Sequence, residues 1–175
     1  MTRLFAAASI ALALSSTAVL AQTAAPEPVT VVMKGQDGAD HGTVTLTQVP
    51  TGVLIQAKLK GLPAGGAHGY HFHQTGVCEG KFESAGGHYN PTEKEHGFMV
   101  DGGAHAGDMG NFSATDGAAS FDVINTAVTL AGGPAPLNDA DGTAIVIHAG
   151  PDDYASQPAG KSGDRIACGV VYAKP

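Results

Sequence analysis

The stretch Thr43-Val44-Thr45-Leu46-Thr47-Gln48-Val49-Pro50-Thr51-Gly52-Val53-Leu54-Ile55-Gln56-Ala57-Lys58-Leu59 decides the fold class. Before Pro50, Val44 and Leu46 alternate with threonines; after Gly52, Val53, Ile55, Ala57 and Leu59 share one face and Gln56 and Lys58 take the other. Successive side chains of a strand leave opposite faces, so a period of two describes two half-buried strands. Pro50, Thr51 and Gly52 supply the turn, which makes the pair a hairpin. Outward in both directions, short β-branched runs recur between Gly, Pro, Asp and Asn, at residues 29–33, 69–73, 119–124, 127–130, 144–148 and 166–172. With the hairpin these make eight candidate strands. No segment beyond residue 21 sustains a 3.6-residue period, and no GxGxxG or GxxxxGK[ST] phosphate loop is present. The pattern predicts an all-β, antiparallel sandwich or barrel.

A chain of 175 residues has room for one domain with one core. Its 43% hydrophobic and 14% charged residues fit a globular protein, and 25 Gly with 10 Pro fit a chain that turns often. With 9 Lys+Arg against 16 Asp+Glu, 6% aromatics and no Trp, composition argues against a nucleic-acid partner. Residues 1–21 read as a secretory signal: Arg3, an apolar run over residues 4–14, then small residues with Val19 and Ala21 before a cut near Ala21. The run is too short for a good membrane span and no Cys follows it to take a lipid, so no stable membrane anchor is expected. Residues 22–28 then form a flexible segment and 29–175 the domain, exported to the periplasm or secreted. In an oxidising compartment Cys78 and Cys168, the only two cysteines, pair and close a long loop. A two-thiol metal site is the alternative, although neither Cys has a second Cys or a His at C-x-x-C spacing.

Residues 74–117 and 149–165 are long, polar and Gly-rich, and loops of such length in a compact domain are usually functional or disordered. The 8 histidines favour function. His71 and His73 stand two apart on a strand, so both leave one face while Phe72 takes the other. His148 ends another apolar run, at a strand tip where it can meet that pair. His88, His96, His105 and Asp108 fall in the long loop, and three imidazoles with a carboxylate suit a tetrahedral zinc. Any one of these histidines alone reads more simply as a surface or satisfied core residue; the set does not. Imidazole-only ligation suits Cu, Zn, Fe or Ni, with Cu(II) leading the affinity order.

The chain resembles the copper/zinc superoxide dismutase family, in its exported bacterial branch. The resemblance rests on His68-Gly69-Tyr70-His71-Phe72-His73, Gly86-Gly87-His88-Tyr89-Asn90-Pro91, His96-Gly97, His105-Ala106-Gly107-Asp108-Met109-Gly110-Asn111, His148, and Gly163-Asp164-Arg165-Ile166-Ala167-Cys168-Gly169, in the family's order. It implies an eight-stranded Greek-key β-barrel. It makes His71, His73, His88 and His148 copper ligands, and His88, His96, His105 and Asp108 zinc ligands, with His88 bridging the two metals as an imidazolate. Asp152 becomes the carboxylate that links a copper histidine to a zinc histidine, with its neighbour Asp153 as the alternative. His68 becomes structural, and His41 reads as a surface turn residue. Arg165 lies beside copper in the family, where it draws in and orients superoxide; Lys161 is the one other cation expected nearby. The implied activity is conversion of superoxide to dioxygen and hydrogen peroxide by Cu(II)/Cu(I) cycling, with His88 and Arg165 as the catalytic residues. Exported bacterial relatives do not share one oligomeric state, and a homodimer is compatible with the resemblance.

Two other classes would use the residues differently. A non-catalytic copper-carrying domain on the same barrel has no need of both His88 and Arg165. A zinc-only structural module leaves His71, His73 and His148 without a task.

Overall fold

A computed structural model describes residues 26–175. The expected leader over residues 1–21, its cut, and most of the segment 22–28 therefore lie outside the described residues. Nine strands follow in chain order: β1 Val29–Gly35, β2 Asp40–Val49, β3 Gly52–Leu59, β4 Ala67–His68, β5 Tyr70–His73, β6 Phe112–Ser113, β7 Ala119–Asn125, β8 Thr143–His148 and β9 Arg165–Tyr172. The only helical element among the described residues is a 3₁₀ turn at Glu83–Ala85.

Seven strands form one antiparallel sheet in the order β5-β8-β9-β1-β2-β3-β7, while β4 and β6 pair separately. The β2–β3 hairpin is the one read from the sequence, with Leu46 opposite Ile55, Val44 opposite Ala57, and Val49 opposite Gly52 across the turn. Val44, Leu46, Val53, Ile55, Ala57 and Leu59 are all buried, as the alternation requires. Each of these valine, leucine and isoleucine side chains contributes about 1.5–3 kcal/mol on leaving water. The chain crosses from one edge region of the sheet to the other between β3 and β5 and again between β7 and β8, and the sheet curls around Met33, Leu46, Ile55, Phe72, Ile145 and Ile147, each at most 1% exposed. Tyr70, Phe112 and Phe121 close one part of this core with ring centroids 5.0 to 5.5 Å apart.

Three local readings need correction. Residues 127–130 form no strand, although Val128 and Leu130 are buried. Their backbone is held instead by the Gln48 side chain, whose Oε1 accepts the Leu130 N–H at 2.8 Å, and by the loop bonds Thr129 N–H to Ala135 O and Leu137 N–H to Thr129 O. Alternating burial here is that of a loop plugging the barrel. Conversely, the 74–117 stretch contains the short strand β6, where Phe112 pairs with His68. His41, read as a turn residue, lies in β2, with Nδ1 3.0 Å from the Lys60 carbonyl.

Candidate metal centre

The site grows from β5, whose alternation sends Phe72 into the core and His71 and His73 to the other side, both fully buried under loops. The loop is seated by its backbone. Phe72 N–H donates to Gly107 O at 3.0 Å, Tyr89 N–H to Phe72 O at 2.8 Å, Gly107 N–H to Tyr89 O at 2.8 Å, and Gln74 N–H to Gly87 O at 3.0 Å. These bonds cover the free edge of β5 and set His88 opposite His73. Only glycine fits at position 107, because a Cβ there would lie 2.5 Å from the Phe72 carbonyl oxygen. On the other side, β8 pairs with β5, and a register shift after Ile147 places His148 at the end of β8, opposite Arg165 of β9.

Ligand-competent atoms of His71, His73, His88 and His148 all lie within 4.8 Å of one another, and so do those of His88, His96, His105 and Asp108. His88 belongs to both groups. In the first group each ring has one nitrogen engaged: His71 Nε2 with Asp152 Oδ2 at 2.7 Å, His73 Nδ1 with Gly86 O at 3.0 Å, His88 Nδ1 with Asp108 Oδ1 at 2.8 Å, and His148 Nδ1 with Gly163 O at 3.2 Å. The other nitrogens, His71 Nδ1 and Nε2 of His73, His88 and His148, are buried without any partner. A carbonyl can only accept, so His73 and His148 carry their proton on Nδ1 and present a lone pair at Nε2. Four buried, unpaired imidazole nitrogens are costly unless something takes their lone pairs. An all-imidazole set suits copper, zinc, iron or nickel, with Cu(II) leading the affinity order.

The second group makes the same demand. Nδ1 of His88, His96 and His105 approach the single oxygen Asp108 Oδ1 to 2.8, 3.1 and 3.3 Å. His96 stands between two carboxylates, with Nε2 3.0 Å from Asp152 Oδ1 and Nδ1 3.1 Å from Asp108 Oδ1, so a ring with its one proton on Nε2 turns a lone pair toward Asp108. A cation among these atoms relieves that repulsion, and three imidazoles with one carboxylate match zinc. Asp108 Oδ2 is fixed by the N–H groups of Gly97 and His105, at 2.9 and 3.0 Å.

Asp152, buried, thus stands between His71 and His96, while Asp153 points outward and caps the N–H groups of Ala155 and Ser156. The side-chain amide of Asn111 grips Asp152's backbone from both sides, accepting its N–H at 2.8 Å and donating to its carbonyl at 2.9 Å. Burial opposes ionisation of Asp152 and Asp108, but hydrogen bonds from His71 and His96 to Asp152, and from His105, His88 and the Gly97 N–H to Asp108, hold both carboxyls well below the usual range. Burial also favours the neutral form of the first group's rings, pushing His71 down to about 3 and His148 to about 4.

Arg165 donates from Nη1 to the Phe82 carbonyl at 2.5 Å and from Nη2 to the Gly86 carbonyl at 2.6 Å. Gly86 O therefore serves both Arg165 and His73. Arg165 lines an open recess of about 540 Å³ with His73, His88 and His148, while Pro158 and Ala159 form another part of its wall. Lys81 shares a second recess with Arg165. His68 is buried apart from both groups, with Nδ1 2.9 Å from the His148 carbonyl. The residues that sequence reasoning gave no role are Asn111 and Gln157, which act on backbone atoms far away in the chain.

Cys78 and Cys168 form the disulfide, Cα–Cα 5.9 Å, which fastens the 74–117 loop to β9 beside the small cluster of Phe82, Ala85, Ala144 and Val146. Reduction, or Cys78→Ser with Cys168→Ser, is expected to lower stability by about 2–5 kcal/mol and to speed proteolysis within 74–117. Unchanged cleavage of that loop would deny the disulfide its anchoring role.

Fold and site together define a curled β-barrel metalloprotein with two four-donor sites joined through one imidazole. The family model for copper/zinc superoxide dismutase matches residues 40–171. The chain is 46% identical over 147 residues to "Superoxide dismutase [Cu-Zn]" of Caulobacter vibrioides, covering 81% of this chain and 84% of that one. It is 46% identical over 139 residues to "Superoxide dismutase [Cu-Zn] 1" of Aquifex aeolicus, covering 78% and 82%. Among solved structures it is similar to a SOD-like protein from Bacillus subtilis (TM-score 0.78, 34% identity, 81% of this chain and 97% of that one). It is also similar to the Cu/Zn superoxide dismutase from Brucella abortus (TM-score 0.68, 29% identity, 83% and 99%). The chain belongs to the copper/zinc superoxide dismutase family.

Proposed function

We propose that this chain is a superoxide dismutase in which His71, His73, His88 and His148 hold copper and His88, His96, His105 and Asp108 hold zinc. The observation that carries the reading is His88, whose Nδ1 belongs to the zinc-side group while its buried Nε2 has no protein partner and faces the other three imidazoles. Bound copper supplies a Cu(II)/Cu(I) couple that takes one electron from one superoxide, releasing dioxygen, and gives it to a second, which leaves with two protons as hydrogen peroxide; zinc supplies fixed positive charge. His88 Nε2 is the atom at which the chain can hold one of those protons next to the recess. Arg165, half-buried at the wall, presents its charge to an anion entering the recess, and the Phe82 and Gly86 carbonyls fix its guanidinium there. Asp152 keeps His71 and His96 in the tautomers that leave their Nδ1 atoms for the metals.

The place of action is outside the cytoplasm. Support comes from the disulfide and from the signal-like residues 1–21, cut near Ala21 to leave residues 29–175 as the working domain. No helix among the described residues is long and apolar enough to cross a membrane, and no membrane anchor or nucleic-acid partner enters the reading. Val32 and Val170, exposed on adjacent strands, offer a face on which a homodimer would form.

The test is metal content of the purified protein together with superoxide turnover, before and after selective removal of copper. Expected are one copper and one zinc per chain, turnover lost with copper and regained on its return. Bound copper without turnover would identify a copper carrier instead.

A further inference from the structure

We propose that Gln157 is a positioning residue for the zinc side of the centre, because its side-chain amide holds the backbone of His96. The inference rests on the reading of His96 as a zinc ligand. Gln157 Oε1 accepts the His96 N–H at 2.9 Å, and Gln157 Nε2 donates to the His96 carbonyl at 2.9 Å, a clamp between residues 61 apart. A third contact, from Nε2 to Ala155 O at 3.3 Å, fastens the amide to its own loop.

His96 needs this support. Its side chain is fully buried, yet it lies outside any strand, and no main-chain group among the described residues bonds to its N–H or its carbonyl. In a strand the sheet ladder fixes a ligand's Cα; here one glutamine side chain replaces the ladder. The loop that carries Gln157 also carries Asp152, which takes the remaining proton of the ring at Nε2. Three atoms of His96 are thus held from residues 149–164, and only Nδ1 is left to aim at the position shared with His88, His105 and Asp108. Gly160 lets the loop press close: at φ +65°, a Cβ there would lie 1.9 Å from Asp152 Oδ1 and 2.6 Å from His96 Nε2. Because Pro158 and Ala159 follow directly and line the recess, the same clamp ties the recess wall to the zinc ligand.

The experiment uses the full mature chain carrying copper and zinc, as wild type, Gln157→Ala, Gln157→Glu and His96→Ala. Two quantities are read: zinc loss to a competing chelator, and the visible spectrum with Co(II) in place of zinc. Loss of an outer partner of a ligand typically weakens metal binding about 10-fold or more, so Gln157→Ala is expected to retain zinc about 10-fold less well and to shift the cobalt bands. Gln157→Glu should fall between, since its carboxylate still accepts from the His96 N–H but has no proton for the His96 carbonyl. If Gln157→Ala keeps zinc retention within about twofold of wild type with unchanged cobalt bands, while His96→Ala loses zinc, the role of Gln157 is overturned and the zinc assignment stands. If His96→Ala also keeps its zinc, both are overturned. A Gln157→Ala protein whose metal-free melting temperature drops while zinc retention and the cobalt bands hold has lost only loop packing, and that also overturns the proposal.

Discussion

His88→Ala is expected to lower superoxide turnover by about 10²-fold or more, the scale of a lost proton-transferring group, and, with Co(II) in place of zinc, to abolish the magnetic coupling between copper and cobalt. The substitution removes one donor from each four-membered group at once, which no other residue can do, because His88 is their only shared member. It also removes the one ring whose Nε2 faces the copper-side imidazoles while its Nδ1 lies 2.8 Å from Asp108. His73→Ala takes a donor from the copper side alone, so it should lose copper and turnover while zinc content is kept. Comparing the two variants for metal content and turnover, and for copper–cobalt coupling in the Co(II)-substituted protein, separates a bridge from an ordinary ligand. Wild-type-like turnover in His88→Ala, with copper and the substituted cobalt still coupled, would sink the shared-imidazole reading.

That ligand geometry was visible in the sequence to the extent that it follows strand periodicity. His71 and His73 must leave the same face of any strand that contains them both, and Phe72 must leave the other; the buried core position of Phe72 is the structural counterpart. The β2–β3 hairpin was legible for the same reason, since a period of two has one meaning when one face is buried. Residues 127–130 misled because a plug that turns Val128 and Leu130 inward writes the same pattern as a strand. What distinguishes it is the amide of Gln48, a partner 82 residues away. Asn111 and Gln157 were illegible on the same ground. An amide that clamps someone else's backbone leaves no periodic mark, and its partner is set by how the long loops cross. Asp152 and Asp153 are adjacent and chemically identical; only the turn of the loop buries the first between two histidines and exposes the second as a cap for Ala155 and Ser156. Lys81 was not foreseen beside Arg165 because it comes from the disulfide loop, 84 residues earlier in the chain, and shares with Arg165 a recess also lined by Gly163 and Asp164.

The metal-free protein is expected to lose stability steeply as pH falls from about 6.5 toward 4.5. Burial lowers His71 to about 3 and His148 to about 4, and holds His73 and His88 below the ordinary value of 6.5. The sign follows from proton counting. Below 6.5 the unfolded chain takes up protons on these rings while the folded chain leaves them neutral, so acid favours unfolding. At about 1.4 kcal/mol per pH unit, His71 and His148 each withdraw on the order of 2–3 kcal/mol by pH 4.5. That is a large share of the 5–15 kcal/mol typical of a whole domain. Asp108 and Asp152 act in the same direction but later: their carboxyls are depressed in the fold, and their contribution begins to fade only as pH drops below about 4. The acid transition of the metal-free domain therefore belongs first to its histidines. Melting curves of copper- and zinc-free protein between pH 7.5 and 4.5 should show the midpoint falling by about 10 °C or more, and His148→Gln should flatten that slope. A midpoint that stays level across this range would mean that the rings take up protons in the fold as readily as in the unfolded chain, and would overturn the reading that burial keeps them neutral.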